Sequence, residues 1–194
     1  MTLKDIHKYE IEKVGEIFKK SKISFIPELK ISIETNKTDI DILGMSKNIL
    51  ILVECFGTES FGEKLKKTIT NLKNIKKNFK KVREIIKQEY PLFYRTHKSF
   101  LEGTNLKFRC LLVSSQKETK DCVEDFHKKN YEEEDFFLWT TEELYYYDKV
   151  SDCTYDHCKY EIFSCINVFP EDIEDDAESS IPSYIAYGKQ IKEE

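Results

Sequence analysis

One stretch, residues 39–57 (DIDILGMSKNILILVECFG), constrains the fold of this chain more than any other. It contains an uninterrupted apolar run, from Ile49 to Val53, in a chain of which 35% of the residues are charged. A short run of this kind, rich in Ile, Leu and Val, is typical of a strand that is covered on both faces. We therefore predict a central strand here, with layers of structure on both sides of its sheet.

The residues before this run alternate in polarity. Ile40 and Ile42 alternate with Asp39 and Asp41, which predicts a half-buried strand in which the two Ile side chains share the core-facing side. Gly44 follows and predicts a turn at the end of that strand. The two strands together form a predicted hairpin-like unit.

Helices are predicted where apolar residues recur every three or four positions. This spacing holds over residues 3–20 and most strongly over 62–89, where Pro91 ends the pattern. Two further helices begin at capping boxes, in which Ser or Thr is followed three positions later by Glu, at 115–118 and 140–143. The former helix is predicted to reach about residue 130.

Further strands are predicted from short apolar segments. These segments cover 23–33, 108–113 and 136–139, and Pro27 interrupts the first, which predicts a break or an edge strand. Residues 93–105 have no strong pattern and are read as a loop or a short helix. The order of elements predicts an antiparallel meander followed by strands that alternate with helices.

This order predicts an α/β fold, with a central mixed sheet of about five strands flanked by helices and a C-terminal helical appendage. We divide the chain into an α/β core at 1–140, C-terminal helices packed on the core at 141–169, and an acidic linker and tail at 170–194. One of the C-terminal helices is predicted at 155–166.

Composition narrows the class of protein. No apolar run approaches the ~20 residues that span a bilayer, and no signal-peptide pattern opens the chain, so we expect a cytoplasmic protein without a membrane partner. Six cysteines without regular spacing are expected to be reduced thiols. A zinc site is the alternative for one cluster, whose members are Cys153, His157 and Cys158.

The net charge of −5 conceals a strong asymmetry along the chain. Residues 62–87 contain ten Lys or Arg and two Glu, whereas 118–178 contain five Lys and twenty acidic residues. A basic helix suits a nucleic-acid backbone, because phosphate contacts dominate such binding; the alternative is a helix whose lysines only keep its outer face solvated. The candidate nucleic-acid-binding residues are Lys66, Lys73, Lys76, Lys77 and Lys80.

Asp41 and Glu54 are candidate metal ligands. Each lies near the end of one of two adjacent predicted strands, and Glu54 follows five apolar residues, where a carboxylate needs a partner. Mg²⁺ bound by one or two carboxylates and a substrate phosphate is such a partner. The alternative is an Asp in a turn and a Glu paired with a lysine. A small-molecule enzyme finds little support, because neither a Gly-rich phosphate loop nor a Gly-x-Ser-x-Gly motif is present.

The Asp, turn, apolar run and Glu in this order resemble the core motif of the PD-(D/E)XK, or restriction-endonuclease-like, superfamily. The resemblance implies that fold, a DNA partner, Mg or Mn as cofactor, and a role in prokaryotic defence or DNA modification. It also implies that the carbonyl of Cys55 is a further ligand, and that a helical acid joins the site. We choose Glu12, because Ile11 to Val14 resemble the entry helix of Mrr-like members.

The chain departs from this motif at Phe56, where the superfamily has a lysine that orients or helps to activate the attacking water. Two alternatives remain. A lysine of the following helix replaces it, with Lys64, Lys67 and Lys73 as candidates, or the domain is a catalytically inactive interaction module that binds nucleic acid or a partner protein. The expected partners are thus nucleic acid and either a second copy of this chain, as a homodimer, or another protein. A fainter resemblance connects FFLWTTEELYYYDKV and later segments with the nuclease-like region that precedes DGQHR (DndB-like) domains in DNA phosphorothioation systems.

Overall fold

A five-stranded mixed sheet forms the centre of the protein. A computed structural model describes residues 3–33, 36–56, 61–114, 124, 126–129, 131 and 135–151. The main elements are α1 (Leu3–Lys20), β1 (Ser24–Ile33), β2 (Asn36–Ser46), β3 (Ile49–Cys55), α2 (Phe61–Lys77), α3 (Phe79–Glu89), α4 (Pro91–Leu101), β4 (Lys107–Val113), β5 (Phe136–Trp139) and α5 (Thr141–Ser151).

The strands lie in sequence order across the sheet, from β1 at one edge to β5 at the other. The pairs β1–β2 and β2–β3 are antiparallel, whereas β3–β4 and β4–β5 are parallel. Helices separate β3 from β4, as a parallel crossover requires. The predicted α/β class, with a five-stranded mixed sheet flanked by helices, is confirmed.

The two faces of the sheet bury two separate apolar clusters, and β3 contributes to both. Leu50 and Leu52 belong to the cluster covered by α2, α3 and α4. Ile49, Ile51 and Val53 belong to the cluster covered by α1 and α5. All five side chains are completely buried. The uninterrupted apolar run is therefore explained by a strand that has helices on both sides.

The prediction of one long helix over 62–89 is wrong in one respect, because the helix is interrupted at Asn78 and forms two helices, α2 and α3. The side-chain amide of Asn78 donates to the backbone carbonyl of Asn74 at 3.0 Å. The backbone carbonyl of Asn78 accepts from the backbone N–H of Lys81. Asn competes well for backbone hydrogen bonds in this way. The apolar spacing continues across the break because both helices pack on the same cluster.

Pro91 does not merely stop a helix; it is the first residue of α4. Proline is favourable there, since the first helical N–H has no partner within the helix. The prediction for 93–105 left a loop and a short helix open, and the structure has a helix to Leu101.

Gly44 lies within β2 and not in a turn; the chain turns at Lys47 and Asn48 instead. A Cβ on Gly44 would lie 2.5 Å from Cε2 of Phe18 on α1. The glycine is therefore explained by the close approach of α1 to the sheet, which the sequence does not reveal.

The capping box at 140–143 is confirmed. The backbone N–H of Thr140 donates to the Glu143 carboxylate at 2.9 Å, and the Thr140 hydroxyl contacts the same oxygen. The capping box at 115–118, the helix at 155–166, the tail at 170–194 and the Cys153–His157–Cys158 cluster lie outside the described residues. No helix in the described part is long and apolar enough to cross a membrane.

Candidate functional site

The two predicted carboxylates lie where β2 and β3 separate. The ladder between these strands runs from Ser46 opposite Ile49 to Ile42 opposite Val53. Asp41 and Glu54 follow one position beyond the last pair. There the side chain of Asp41 takes the place of a backbone partner, since its Oδ2 accepts the N–H of Cys55 at 2.7 Å.

The regular alternation of side chains fails at this point of β2. Ile42 belongs to the cluster under α1, whereas Ile40 belongs to the cluster under α2, so the prediction that they share one face is wrong. In the neighbouring strand, Glu28 has a positive φ of 50° and lies between the pairs that contain Ile42 and Ile40. This irregularity in both strands turns Asp41 towards Cys55, and only 8% of the Asp41 surface is exposed.

His7 of α1 is a third member of the site, which the sequence analysis missed. Its Nε2 lies 3.2 Å from Oδ2 of Asp41. This hydrogen bond raises the pKa of His7, and the negative charge of Asp41 adds to the effect, while burial acts against it. His7 therefore provides a donor that helps to hold the carboxylate of Asp41 at the end of β3, where the N–H of Cys55 is the other donor.

The helical acid near the site is Glu10 and not Glu12. Glu12 lies on the outer side of α1, where its carboxylate pairs with Lys8 at 3.5 Å and remains 60% exposed. Glu10 is completely buried, and its charge acts on both His7 and the Cys55 thiol. A usable signal was present in the sequence, because Glu10 lies four and seven residues before Val14 and Ile17 on the apolar stripe of the helix.

Glu54 is a carboxylate under electrostatic strain. Burial raises its pKa well above the ordinary value, the negative charge of Asp41 raises it further, and the positive charge of Lys64 lowers it. Two carboxylates in this arrangement favour either a proton or a bound cation between them.

Phe56 is 2% exposed and belongs to the cluster under α2. It lies two residues after Glu54, so both side chains emerge on the same face of the strand. Lys64 of α2 lies over the Phe56 ring, with its Nζ 6.0 Å from the ring centroid. Position 56 thus has no lysine, but Lys64 brings an ammonium group to the same face of the sheet.

The three candidate lysines of α2 are not equivalent. Lys67 is exposed, and it is not among the described residues that contact Asp41 or whose charge acts on Glu54. Lys73 lies nine residues after Lys64, about 13 Å along the helix, and its Nζ is 5.9 Å from the ring of Phe136 at the start of β5. Of these lysines, Lys64 is the one that the structure brings to the carboxylate pair.

Cys55 contributes its backbone to the site. Complete burial raises the pKa of its thiol well above the ordinary value, and the charges of Asp41 and Glu10 act in the same direction. These effects disfavour the thiolate, which is the form of cysteine that acts as a nucleophile or a metal ligand. Its backbone N–H, in contrast, fixes Asp41.

The described residues contain no group of three or more His, Cys, Asp or Glu side chains that could hold a metal ion. The pair of Asp41 and Glu54 is thus a candidate for a cation that takes its other ligands from the backbone, water and substrate. The contacts of Asp41 with His7 and with the Cys55 N–H both use the same oxygen, Oδ2.

The candidate nucleic-acid-binding lysines extend from α2 to the start of α3. All five are exposed: Lys66, Lys73, Lys76, Lys77 and Lys80. Lys76 is the most constrained of them, since its Nζ lies 3.1 Å from Asp135 and over the ring of Phe108. The lysines thus form a basic strip that begins near the carboxylates and ends at the other end of the sheet.

No protein-family model matches this chain, and no curated protein or solved structure matches it either. The class that the structure defines is an α/β domain with a mixed five-stranded sheet. Any function must therefore be argued from the site.

Proposed function

We propose that this chain is a restriction-endonuclease-like domain that binds DNA and hydrolyses its phosphodiester bonds with a divalent metal, Mg²⁺ or Mn²⁺. The observation that carries the proposal is the pair of carboxylates where β2 and β3 separate, with Asp41 fixed by the N–H of Cys55. The element order of meander, helix and parallel strand supports the same family.

The residues present fit a hard divalent cation. Asp41 and Glu54 would hold it, together with the carbonyl of Cys55, and the electrostatic strain on Glu54 is what a cation relieves. When bound, the metal supplies charge neutralisation at the scissile phosphate and lowers the pKa of a bound water. His7 and the Cys55 N–H hold Asp41 in place, so the carboxylate is oriented before a ligand arrives.

In this proposal Lys64 takes the role of the missing lysine. Its ammonium group lies over Phe56, beside Glu54. From there it donates hydrogen bonds to the phosphate or to the attacking water, and it offsets negative charge that develops on the reacting group. Phe56 cannot do either, because its ring is apolar and buried.

The test uses the full chain with Mn²⁺ or Mg²⁺ and linear or supercoiled DNA. At about 100 times its Kd the metal should stabilise the protein by ~2.7 kcal/mol, which is roughly 5–10 °C in Tm for this size. Asp41→Asn and Glu54→Gln should abolish this shift. Each of the three variants Asp41→Asn, Glu54→Gln and Lys64→Gln should reduce cleavage by about 100-fold or more.

The matched control is Glu12→Gln, which removes a carboxylate from the outer face of α1. It should change neither the metal-induced shift nor cleavage. Asn at position 41 can still accept the Cys55 N–H through its side-chain oxygen, so the fold is retained. If the unmodified protein shows no metal-induced shift and no cleavage, the catalytic proposal is overturned.

A second function is a non-catalytic module of the same fold that binds nucleic acid or a partner protein. The observation that favours it is that Oδ2 of Asp41 is already bound by two donors, His7 and the Cys55 N–H, in a site without the usual lysine. This function predicts DNA binding that depends on salt and is equal in EDTA and in Mn²⁺, without turnover.

A further inference from the structure

A basic pocket lies where α2 ends and α3 begins. Its volume is about 580 Å³, within the range of small-ligand sites. Among the described residues that line it none is acidic, and five are cationic: Lys76, Lys77, Lys80, Lys81 and Arg83.

The break at Asn78 creates this concentration of charge. It brings the last turn of α2 next to the first turn of α3, and both turns carry lysines. At the end of α2 cations are favourable, because the helix dipole is negative there. At the start of α3 they are unfavourable, and the first turn of α3 has no acidic residue. Lys80 therefore adds positive charge where the helix dipole is already positive, and such a place favours an anion.

The floor of the pocket is apolar. Phe79 and Phe108 meet edge to face, with ring centroids 5.1 Å apart, and Leu101 and Leu106 complete the surface. A floor of this kind below a cationic rim suits the sugar–phosphate unit of a nucleic-acid strand, whose sugar carbons are apolar, better than a bare inorganic ion.

Arg83 adds a second feature to the wall. One terminal nitrogen donates to the carbonyl of Leu101 at 3.4 Å, which is a long hydrogen bond. Its Nε is buried and has no hydrogen-bond partner among the described residues. The guanidinium therefore retains hydrogen-bonding capacity beside four lysines.

The pocket and the carboxylate pair lie at opposite ends of the sheet. The pocket includes Phe108, which pairs with Leu50 near the start of β3, whereas Glu54 lies near its end. Along α2, Lys77 of the pocket lies thirteen residues after Lys64, which is about 20 Å along the helix axis. The exposed lysines of α2 occupy the outer surface between these ends.

We infer that this pocket binds the phosphate groups of a nucleic-acid backbone, as a second contact remote from the carboxylate pair. The inference rests on the proposed function, in that one nucleic acid would contact both places. A span of about 20 Å corresponds to roughly six phosphates of one strand. The pocket then supplies affinity and orientation, and the carboxylates supply the chemistry.

The test is fluorescence anisotropy of a labelled 20-base-pair duplex in EDTA, over a series of salt concentrations. Lys77→Gln with Lys80→Gln removes one cation from each helix of the pocket. Affinity should fall about tenfold or more at 0.1 M salt, and the slope of log K against log salt should decrease by about 1.8. The matched control is Lys19→Gln with Lys149→Gln, which removes two exposed lysines from α1 and α5 on the other face of the sheet.

Equal losses of duplex affinity in the two double variants would overturn the inference that the pocket binds nucleic acid. Absence of duplex binding by the unmodified protein would overturn it as well. Displacement of the duplex by millimolar adenosine monophosphate would overturn the backbone assignment in favour of a free nucleotide. Because metal is absent, these outcomes are independent of the Mn²⁺-induced stabilisation at Asp41 and Glu54. The phosphate-binding pocket and the metal site can therefore be overturned separately.

Discussion

At the scale of single residues, His97 of α4 is the buried polar group with the clearest consequence for stability. Its ring is completely buried against Phe93, and neither ring nitrogen has a hydrogen-bond partner among the described residues. Burial lowers the pKa of His97 from 6.5 to about 4. The folded protein therefore keeps this imidazole neutral at a pH where the unfolded chain already binds a proton.

The sign of the pH dependence follows directly. Between pH 6.5 and 4 the unfolded state binds more protons at this position, so the free energy of unfolding falls on acidification. The contribution of His97 is present above pH 6.5, and the loss reaches about 3 kcal/mol below pH 4. His97→Phe should remove that part of the acid sensitivity, as measured by urea unfolding at pH 7.5 and 4.5.

His127→Gln is the control, because His127 is exposed; it should leave the difference between the two pH values unchanged. If His97→Phe loses as much stability on acidification as the unmodified protein, His97 is not the group that titrates.

At the scale of elements, the contact of α1 with β2 depends on Gly44. Gly44→Ala places a Cβ against the completely buried ring of Phe18, and overpacking of this kind costs about 2 kcal/mol. We expect Tm to fall by about 4–8 °C, measured by calorimetry in EDTA.

Gly15→Ala is the matched substitution within α1. Its Cβ would lie 3.3 Å from Cζ of Phe25, and alanine is favoured over glycine in a helix by about 1 kcal/mol. A Tm close to or above that of the unmodified protein is expected. If the two variants have the same Tm, the close approach at Gly44 does not determine the packing of α1.

The elements also show what the sequence could predict and what it could not. The positions of β3, β4, β5 and α1 follow from apolar runs and helical spacing, which are local signals. The break at Asn78 involves a hydrogen bond from its side chain to the backbone, and the position of Gly44 within β2 depends on a tertiary contact with Phe18. Periodicity carries no information about these contacts, because the apolar stripe continues through the break and a glycine has no side chain to read.

The same distinction applies to the site. Asp41 and Glu54 could be predicted as neighbours because they lie on two adjacent strands. The direction of the Asp41 side chain could not be predicted, because the alternation of side chains fails at Ile40 and Ile42. His7 joins the site through α1, which is distant in sequence. The choice of Glu10 over Glu12, in contrast, could have been made from the sequence, because Glu10 lies on the apolar stripe of α1.

At the scale of the whole molecule, the two proposed binding places should act independently. Lys64 beside the carboxylates and Lys77 in the pocket are about 20 Å apart along α2, and substitutions more than 7–10 Å apart without shared partners usually have additive effects. The described residues show no hydrogen bond or ion pair that joins Asp41 to the pocket lysines.

The independence can be measured with a double-mutant cycle. One arm is Asp41→Asn, the other is Lys77→Gln with Lys80→Gln, and the triple variant combines them. In EDTA their effects on the free energy of duplex binding should add within about 0.5 kcal/mol, and the triple variant should lack the Mn²⁺-induced rise in Tm, as Asp41→Asn does. A coupling energy above about 1 kcal/mol would mean that α2 transmits a change from one end of the sheet to the other. Since Lys64 and Lys77 lie on one continuous helix, that result would identify a displacement of α2 as the link between binding and chemistry.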